Sequence, residues 1–192
     1  MLRYFRIYTR RLFIVLTLEQ IRSTVNRGIA ILMRPDLHGE TKKQERRALL
    51  RKELYQRFDF EESSWRALGV NWKRRTPKEK QEFIEVFREL LINSYASKIE
   101  GWECEKIVYS HEVLDLPYAE VHTKIITAKG EQHDISYLVF GNKGDWHWHI
   151  YDIVIEGVSL IDDYRSQFME MLSRDSFSEM MGRLRENVKI VA

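Results

Sequence analysis

The sequence predicts an α+β domain in which helices pack over a strongly curved, four-stranded antiparallel sheet. Three observations predict it. Helix-start signals recur along the chain up to residue 76, the hydrophobic period changes to two after Gly101, and helical spacing returns after Gly157. At 192 residues and 44% hydrophobic, the chain suits one globular domain with a substantial core. Its 31 basic and 29 acidic residues are well mixed, so no basic surface for nucleic acid is announced. Cys104 is the single cysteine, which excludes an intramolecular disulfide and a cysteine-built zinc site.

The segment Met1–Leu16, MLRYFRIYTRRLFIVL, has the positive flank of an export signal, but its LFIVL run is shorter than the roughly 7–15 apolar residues such a signal needs. It is a degenerate signal or a basic amphipathic extension, and residues 17–192 form the domain. Thr17 with Gln20, Thr41 with Gln44, Asp59 with Glu62, Thr76 with Glu79 and Ser176 with Glu179 have capping-box spacing, in which two side chains satisfy each other's backbone donors. The first helix carries the stripe Leu18, Ile21, Val25, Ile29 and Leu32 and ends near Arg34, because Pro35 disfavours helix in the residue before it. A second helix covers about Thr41 to Arg57. A third runs from Asp59 through Phe60, Trp65 and Leu68 to a C-terminal cap at Gly69. The fourth opens with Pro77 at the favoured first position, and Phe83, Ile84, Val86, Phe87, Leu90, Leu91, Ser94 and Tyr95 make a surface wider than one core stripe. Such a helix touches something on two sides.

The predicted strands are Cys104–Ser110, Ala119–Thr127, Gln132–Phe140 and Trp146–Ile155, with AKGE as a hairpin turn between the second and third. Val121, Thr123 and Ile125 share one face of the second strand, and Ile135, Tyr137 and Val139 one face of the third. Simple alternation puts Ile150, Asp152 and Val154 on one face of the last strand and Tyr151, Ile153 and Ile155 on the other. Asp152 then lies among apolar neighbours and needs a partner. Arg165, in the helix that carries Leu160, Ile161, Tyr164 and Phe168, is the nearest cation in sequence able to fold back, so a structural ion pair of Asp152 and Arg165 is expected. The rival roles for the two are contact with a phosphate headgroup or catalysis. The final helix places Phe177, Met180, Met181 and Leu184 toward the core.

FDFE (58–61), ALG with a following Trp72, TP with a downstream FRELL, and above all YD–V–EGVSL with YRSQF (151–168) resemble the MlaC or toluene-tolerance family of periplasmic phospholipid-carrying components of ABC-type lipid transport systems. The likeness runs from about Thr17 to Asn187. It departs in the short N-terminal signal, in Ser63 and Ser64 where the family favours an apolar pair, and in the WHWH run before Ile150. The resemblance implies a soluble, periplasmic carrier. Its cargo is a phospholipid, or alternatively a hopanoid or other membrane lipid, passed between an inner-membrane ABC transporter complex and an outer-membrane lipoprotein complex. It implies no cofactor, no ATP use by this chain and no transmembrane segment.

A shuttle must hold acyl chains away from water at about 0.8 kcal/mol per methylene, on the order of 12 kcal/mol for a sixteen-carbon chain. The resemblance therefore implies an apolar cavity between sheet and helices. Phe83, Phe87, Leu90, Leu91 and Tyr95 of the fourth helix would wall it against Val121, Ile125, Ile135, Tyr137 and Val139 of the sheet, with Phe168 and Leu172 from the opposite side. Pattern alone reads the same residues as an ordinary core.

Two other classes stand beside the carrier. An enzyme could use Asp152 with Tyr137 as a proton-transfer pair, but the chain has no glycine-rich phosphate loop and no nucleophile elbow. His147 and His149, with His122 or His133, have strand spacing that two ligands of a metal site could use, although exposed strand histidines are commoner. The third class is an interaction module that keeps a lipid carrier's fold without carrying.

Overall fold

The computed structural model describes residues 19–37, 39–100, 102, 104–141 and 147–191. The segment Met1–Leu16, with Thr17, Leu18 and Trp146, lies outside them. Helix α1 is described over residues 19–32, with Ile21 and Val25 buried. Helices α2 (Lys43–Tyr55), α3 (Phe60–Leu68) and α4 (Pro77–Glu100) follow, then the strands, then α5 (Leu160–Arg174) and α6 (Phe177–Val191).

Of the four capping signals that fall within the described residues, three form. The Asp59 carboxylate accepts the Glu62 N–H at 2.9 Å, and Thr76–Glu79 and Ser176–Glu179 close as reciprocal boxes. Thr41 does not cap. A short 3-10 turn at Glu40–Lys42 precedes α2, which begins at Lys43 with no side-chain cap. One further cap escaped the sequence reading: Ser159 opens α5 by accepting the Asp162 N–H at 2.9 Å.

The sheet has five strands rather than four, antiparallel throughout and in sequence order: β1 (Cys104–Asp115), β2 (Tyr118–Thr127), β3 (Gln132–Gly141), β4 (Trp148–Ile155) and β5 (Val158–Ser159). The fifth is two residues long and pairs Ile155 with Val158 across Glu156–Gly157. Both turn residues have positive φ, 50° and 76°, the conformation a two-residue hairpin needs. Glycine accepts it freely. Glu156 is fixed there by its carboxylate, 3.0 Å from His133 Nδ1, and by its N–H, which donates to the Asp134 carbonyl at 3.0 Å. Strand β1 runs five residues past its predicted end, turning into β2 through Leu116–Pro117.

Residues Ala119, Val121, Thr123 and Ile125 of β2 and Ile135, Tyr137 and Val139 of β3 are buried on the core face, as their alternation requires. Strand β4 breaks alternation. Its register moves between Leu138↔Asp152 and Val139↔Ile150, so Tyr151 is the extra residue of a β-bulge. Ile150 thereby joins Ile153 and Ile155 opposite the core residues Val139, Tyr137 and Ile135, while Asp152 lies opposite Leu138. The expected grouping of Ile150 with Asp152 is corrected by that single inserted residue.

Candidate functional site

Helix α4 runs through the centre of the domain, and its two halves meet different neighbours. In the first half, Phe83 and Phe87 stack at 5.3 Å between ring centres. Phe168 of α5 meets both edge-on, at 5.5 and 5.4 Å, and Tyr164 meets Phe87 at 5.2 Å. Phe177 of α6 closes the cluster. This block is solid, with Phe83 and Phe87 fully buried.

In the second half, Leu91 and Tyr95 face two small clefts. The first lies between α4, β4 and the start of α5, lined by Leu54, Phe58, Phe60, Leu91, Ile153 and Leu160 among others. The second lies between α1, α2 and the sheet, lined by Val25, Leu50, Glu53, Leu54, Tyr137 and Ile150 among others. Leu54 and Tyr95 belong to both and stand between them. The clefts measure about 10 and 20 Å³, room for a water-sized body and not for an acyl chain. These two narrow spaces, divided by two side chains, are far smaller than the wide cavity that the family resemblance implies.

Of the twelve expected lining residues, Leu91, Tyr95 and Tyr137 line these clefts. Phe83, Phe87 and Phe168 belong to the aromatic block. Leu90, Val121, Ile125, Ile135 and Val139 are buried in the core, and Leu172 packs against it half-buried. Leu50 and Leu54 of α2 were missed. They are four residues apart in an otherwise charged stretch, which is the signal for a narrow buried face.

The α2 side is closed by polar links. Arg51 pairs with Glu89 at 3.1 Å, Arg47 donates to Ser97 Oγ at 3.1 Å, and the Tyr55 hydroxyl donates to Glu89. Burial and the adjoining carboxylate push the Tyr55 hydroxyl up to about 12. Inside, the Tyr95 and Tyr137 hydroxyls are 3.4 Å apart, and burial raises both above the ordinary tyrosine value.

The structure does not bring Asp152 and Arg165 together. The Ser159 hydroxyl donates to Asp152 Oδ2 at 2.5 Å and the Ile161 N–H to Oδ1 at 3.1 Å. The carboxylate thus rests on the first turn of α5, where unpaired N–H groups and the helix dipole favour an anion. Burial pushes its pKa up, and these hydrogen bonds partly offset the shift. Arg165 lies one turn further along α5, exposed, against Gly69 at the end of α3; a Cβ on Gly69 would sit 3.4 Å from its Nε. Asp152 and Tyr137, the alternative acid/base pair, have different partners: the carboxylate accepts from Ser159 and the Ile161 N–H, and the Tyr137 hydroxyl lies beside that of Tyr95.

Ser63, one of the family departures, is fully buried, with its hydroxyl 2.7 Å from the Tyr151 carbonyl at the bulge. His122 stacks on His111 at 4.0 Å between ring centres, and His133 on Trp102 at 4.2 Å. Among the described residues no group of three or more histidine, cysteine or acidic side chains is placed to hold a metal, and no helix is long and apolar enough to cross a membrane.

Residues 22–186 match the sequence model of a family described as MlaC protein. A relative from Haemophilus influenzae, the intermembrane phospholipid transport system binding protein MlaC, is 23% identical over 145 residues, covering 73% of this chain and 67% of its own. A solved structure of a phospholipid-binding protein from Ralstonia solanacearum, in complex with a phospholipid, superposes with a TM-score of 0.76 at 25% identity, over 91% of this chain and 97% of that one.

Proposed function

Because the chain belongs to the MlaC family, we propose that it is a phospholipid carrier of an intermembrane transport system, and that its acyl-chain site is the pair of clefts beside the second half of α4. The observation that carries this reading is the shared wall of Leu54 and Tyr95. Displacing Leu54 with α2 would merge two small apolar spaces into one, and the ties of α2 include polar side-chain links that water can replace. The relative from R. solanacearum, alike over nearly its full length, holds a phospholipid. The carrier works in the periplasm, accepting lipid from one membrane-associated complex and delivering it to another. It performs no reaction on its cargo and needs no cofactor.

The energetics make a simple test. Protein expressed in a bacterial host and purified without detergent retains host phospholipid, because each buried methylene is worth about 0.8 kcal/mol. Organic extraction and mass spectrometry give about one lipid per protein. Repeated preparations without stoichiometric lipid would overturn the carrier reading in favour of an interaction module.

A further inference from the structure

At the polar end of the second cleft two guanidinium groups converge on Thr24. Arg57, just after α2, donates from Nε to Thr24 Oγ1 at 3.2 Å and from Nη1 to Gln20 Oε1 at 3.0 Å and the Trp148 carbonyl at 3.3 Å. All three acceptors are neutral, and among the described residues no carboxylate lies within ion-pair distance of Arg57. Arg27 Nη2 reaches the same Thr24 hydroxyl at 3.5 Å, while its Nε meets Glu53 Oε2 at 2.5 Å. Thr24 and Glu53 both line the cleft.

Arg27 is thus paired with Glu53, whereas the neighbouring Arg57 is held by neutral acceptors alone. Arg57 is half-buried, and burial together with the charge of Arg27 holds its guanidinium below the ordinary arginine value. An added anion would relieve both costs. Guanidinium forks match phosphate oxygens in geometry and charge, and Thr24, whose hydroxyl both arginines reach, lines the same cleft as the apolar Val25, Leu50 and Leu54.

We propose that Arg57 and Arg27 seat the phosphate of the bound lipid, and that Glu53 competes with that phosphate for Arg27. This rests on the carrier reading and adds to it a chemical basis for cargo choice: a diacyl lipid with a phosphodiester is selected over the same lipid without one. Glu53 makes the seat exchangeable. It takes Arg27 back when the phosphate leaves.

The test loads delipidated protein from vesicles containing phosphatidylglycerol and diacylglycerol with identical acyl chains, and reads the ratio of the two in the extracted protein. Charge-assisted hydrogen bonds are worth enough that Arg57→Gln lowers this ratio about tenfold. Arg27→Gln lowers it in the same sense, and Glu53→Gln raises it. Arg57 also ties α1 to β4, so thermal denaturation accompanies each variant, and the opposite sign at Glu53 is a readout that a merely structural role would not give. If both lipids load and no variant moves the ratio, the phosphate seat is wrong and the carrier reading stands. If neither lipid loads, both fall. Inorganic phosphate raising the melting temperature through Arg57, with the lipid ratio unmoved by any variant, would make this a free-phosphate site and overturn its assignment to the lipid.

Discussion

The first half of α4 buries Phe83 and Phe87 against Phe168, Phe177 and Tyr164, whereas the second half presents Leu91 and Tyr95 to clefts roofed by α2. The two regions use one helix for opposite ends. Aromatic rings interlocked at 5–6 Å form a close-packed block that cannot yield without exposing large apolar surfaces. On the α2 side the contacts include Arg27–Glu53 and Arg51–Glu89, half-exposed pairs of a kind worth about 0–1 kcal/mol each and screened by salt. On the proposed carrier reading, the difference says where the molecule would open: one end anchors α4 and the other is the end that would give way.

The sharpest way to break that comparison is to cut each end separately. Phe87→Ala removes a fully buried ring from the solid end and costs about 3–5 kcal/mol in denaturant unfolding, while lipid per folded protein is retained. Leu54→Trp fills the wall between the clefts from a partly exposed position, so lipid load falls while stability stays within about 1 kcal/mol of wild type. If Phe87→Ala emptied the protein of lipid at unchanged stability, the assignments of the two ends would be reversed.

Next in size is Val121→Trp. Alternation in β2 put Val121 on the apolar face and the family resemblance made that face a cavity wall; Val121 is fully buried opposite Tyr137 and lines neither cleft described above. Forcing an indole into that packing costs about 1–3 kcal/mol or more, visible as a lower midpoint in denaturant. A variant that kept its stability in delipidated form and lost lipid load would return Val121 to the lipid wall.

How far the sequence led follows from what each feature depends on. Alternation in β2 and β3 and the Thr76 and Ser176 caps are set by residues a few positions apart, so they were legible. The bulge at Tyr151 was not, because one unpaired residue reverses every face beyond it while the string of side chains still looks regular. Nor were the partners of Asp152. Ser159 and Asp162 lack the serine-to-glutamate form of a capping box, so the helix start that receives the carboxylate went unmarked. The clefts depend on α2, where only Leu50 and Leu54 of its three leucines line them, and in so charged a helix that pair does not stand out from the string.

A smaller effect tests Asp152 itself. Its pKa is raised in the folded protein, so the native state holds its proton more tightly than the unfolded chain, whose group titrates near 3.8. The stabilisation is complete below that value and is lost as pH rises through the folded pKa. Asp152→Asn removes the titration. Measured across about pH 3 to pH 7 by denaturant unfolding, wild type loses stability relative to Asp152→Asn as pH rises, then levels once the native carboxylate is ionised. A difference that grew in favour of wild type over that range would mean a cation stabilises the charged form.

The smallest expected effect belongs to Arg165. Sequence proximity offered it as the partner of Asp152, and a buried ion pair broken on one side costs about 3–5 kcal/mol because the survivor stays charged and buried. The structure instead gives Asp152 the Ser159 hydroxyl and the Ile161 N–H and leaves Arg165 exposed against Gly69. Arg165→Ala should then change stability by no more than about 0.5 kcal/mol, as for most surface substitutions away from special features. Asp152→Ala strands a buried donor pair and costs about 1–3 kcal/mol. In a double-mutant cycle the two changes add within roughly 0.3–0.5 kcal/mol, the scatter of independent sites. A coupling clearly above that scatter would show that Arg165 reaches the carboxylate after all. The start of α5 would then be pinned by charge on both sides and not by its own N–H groups.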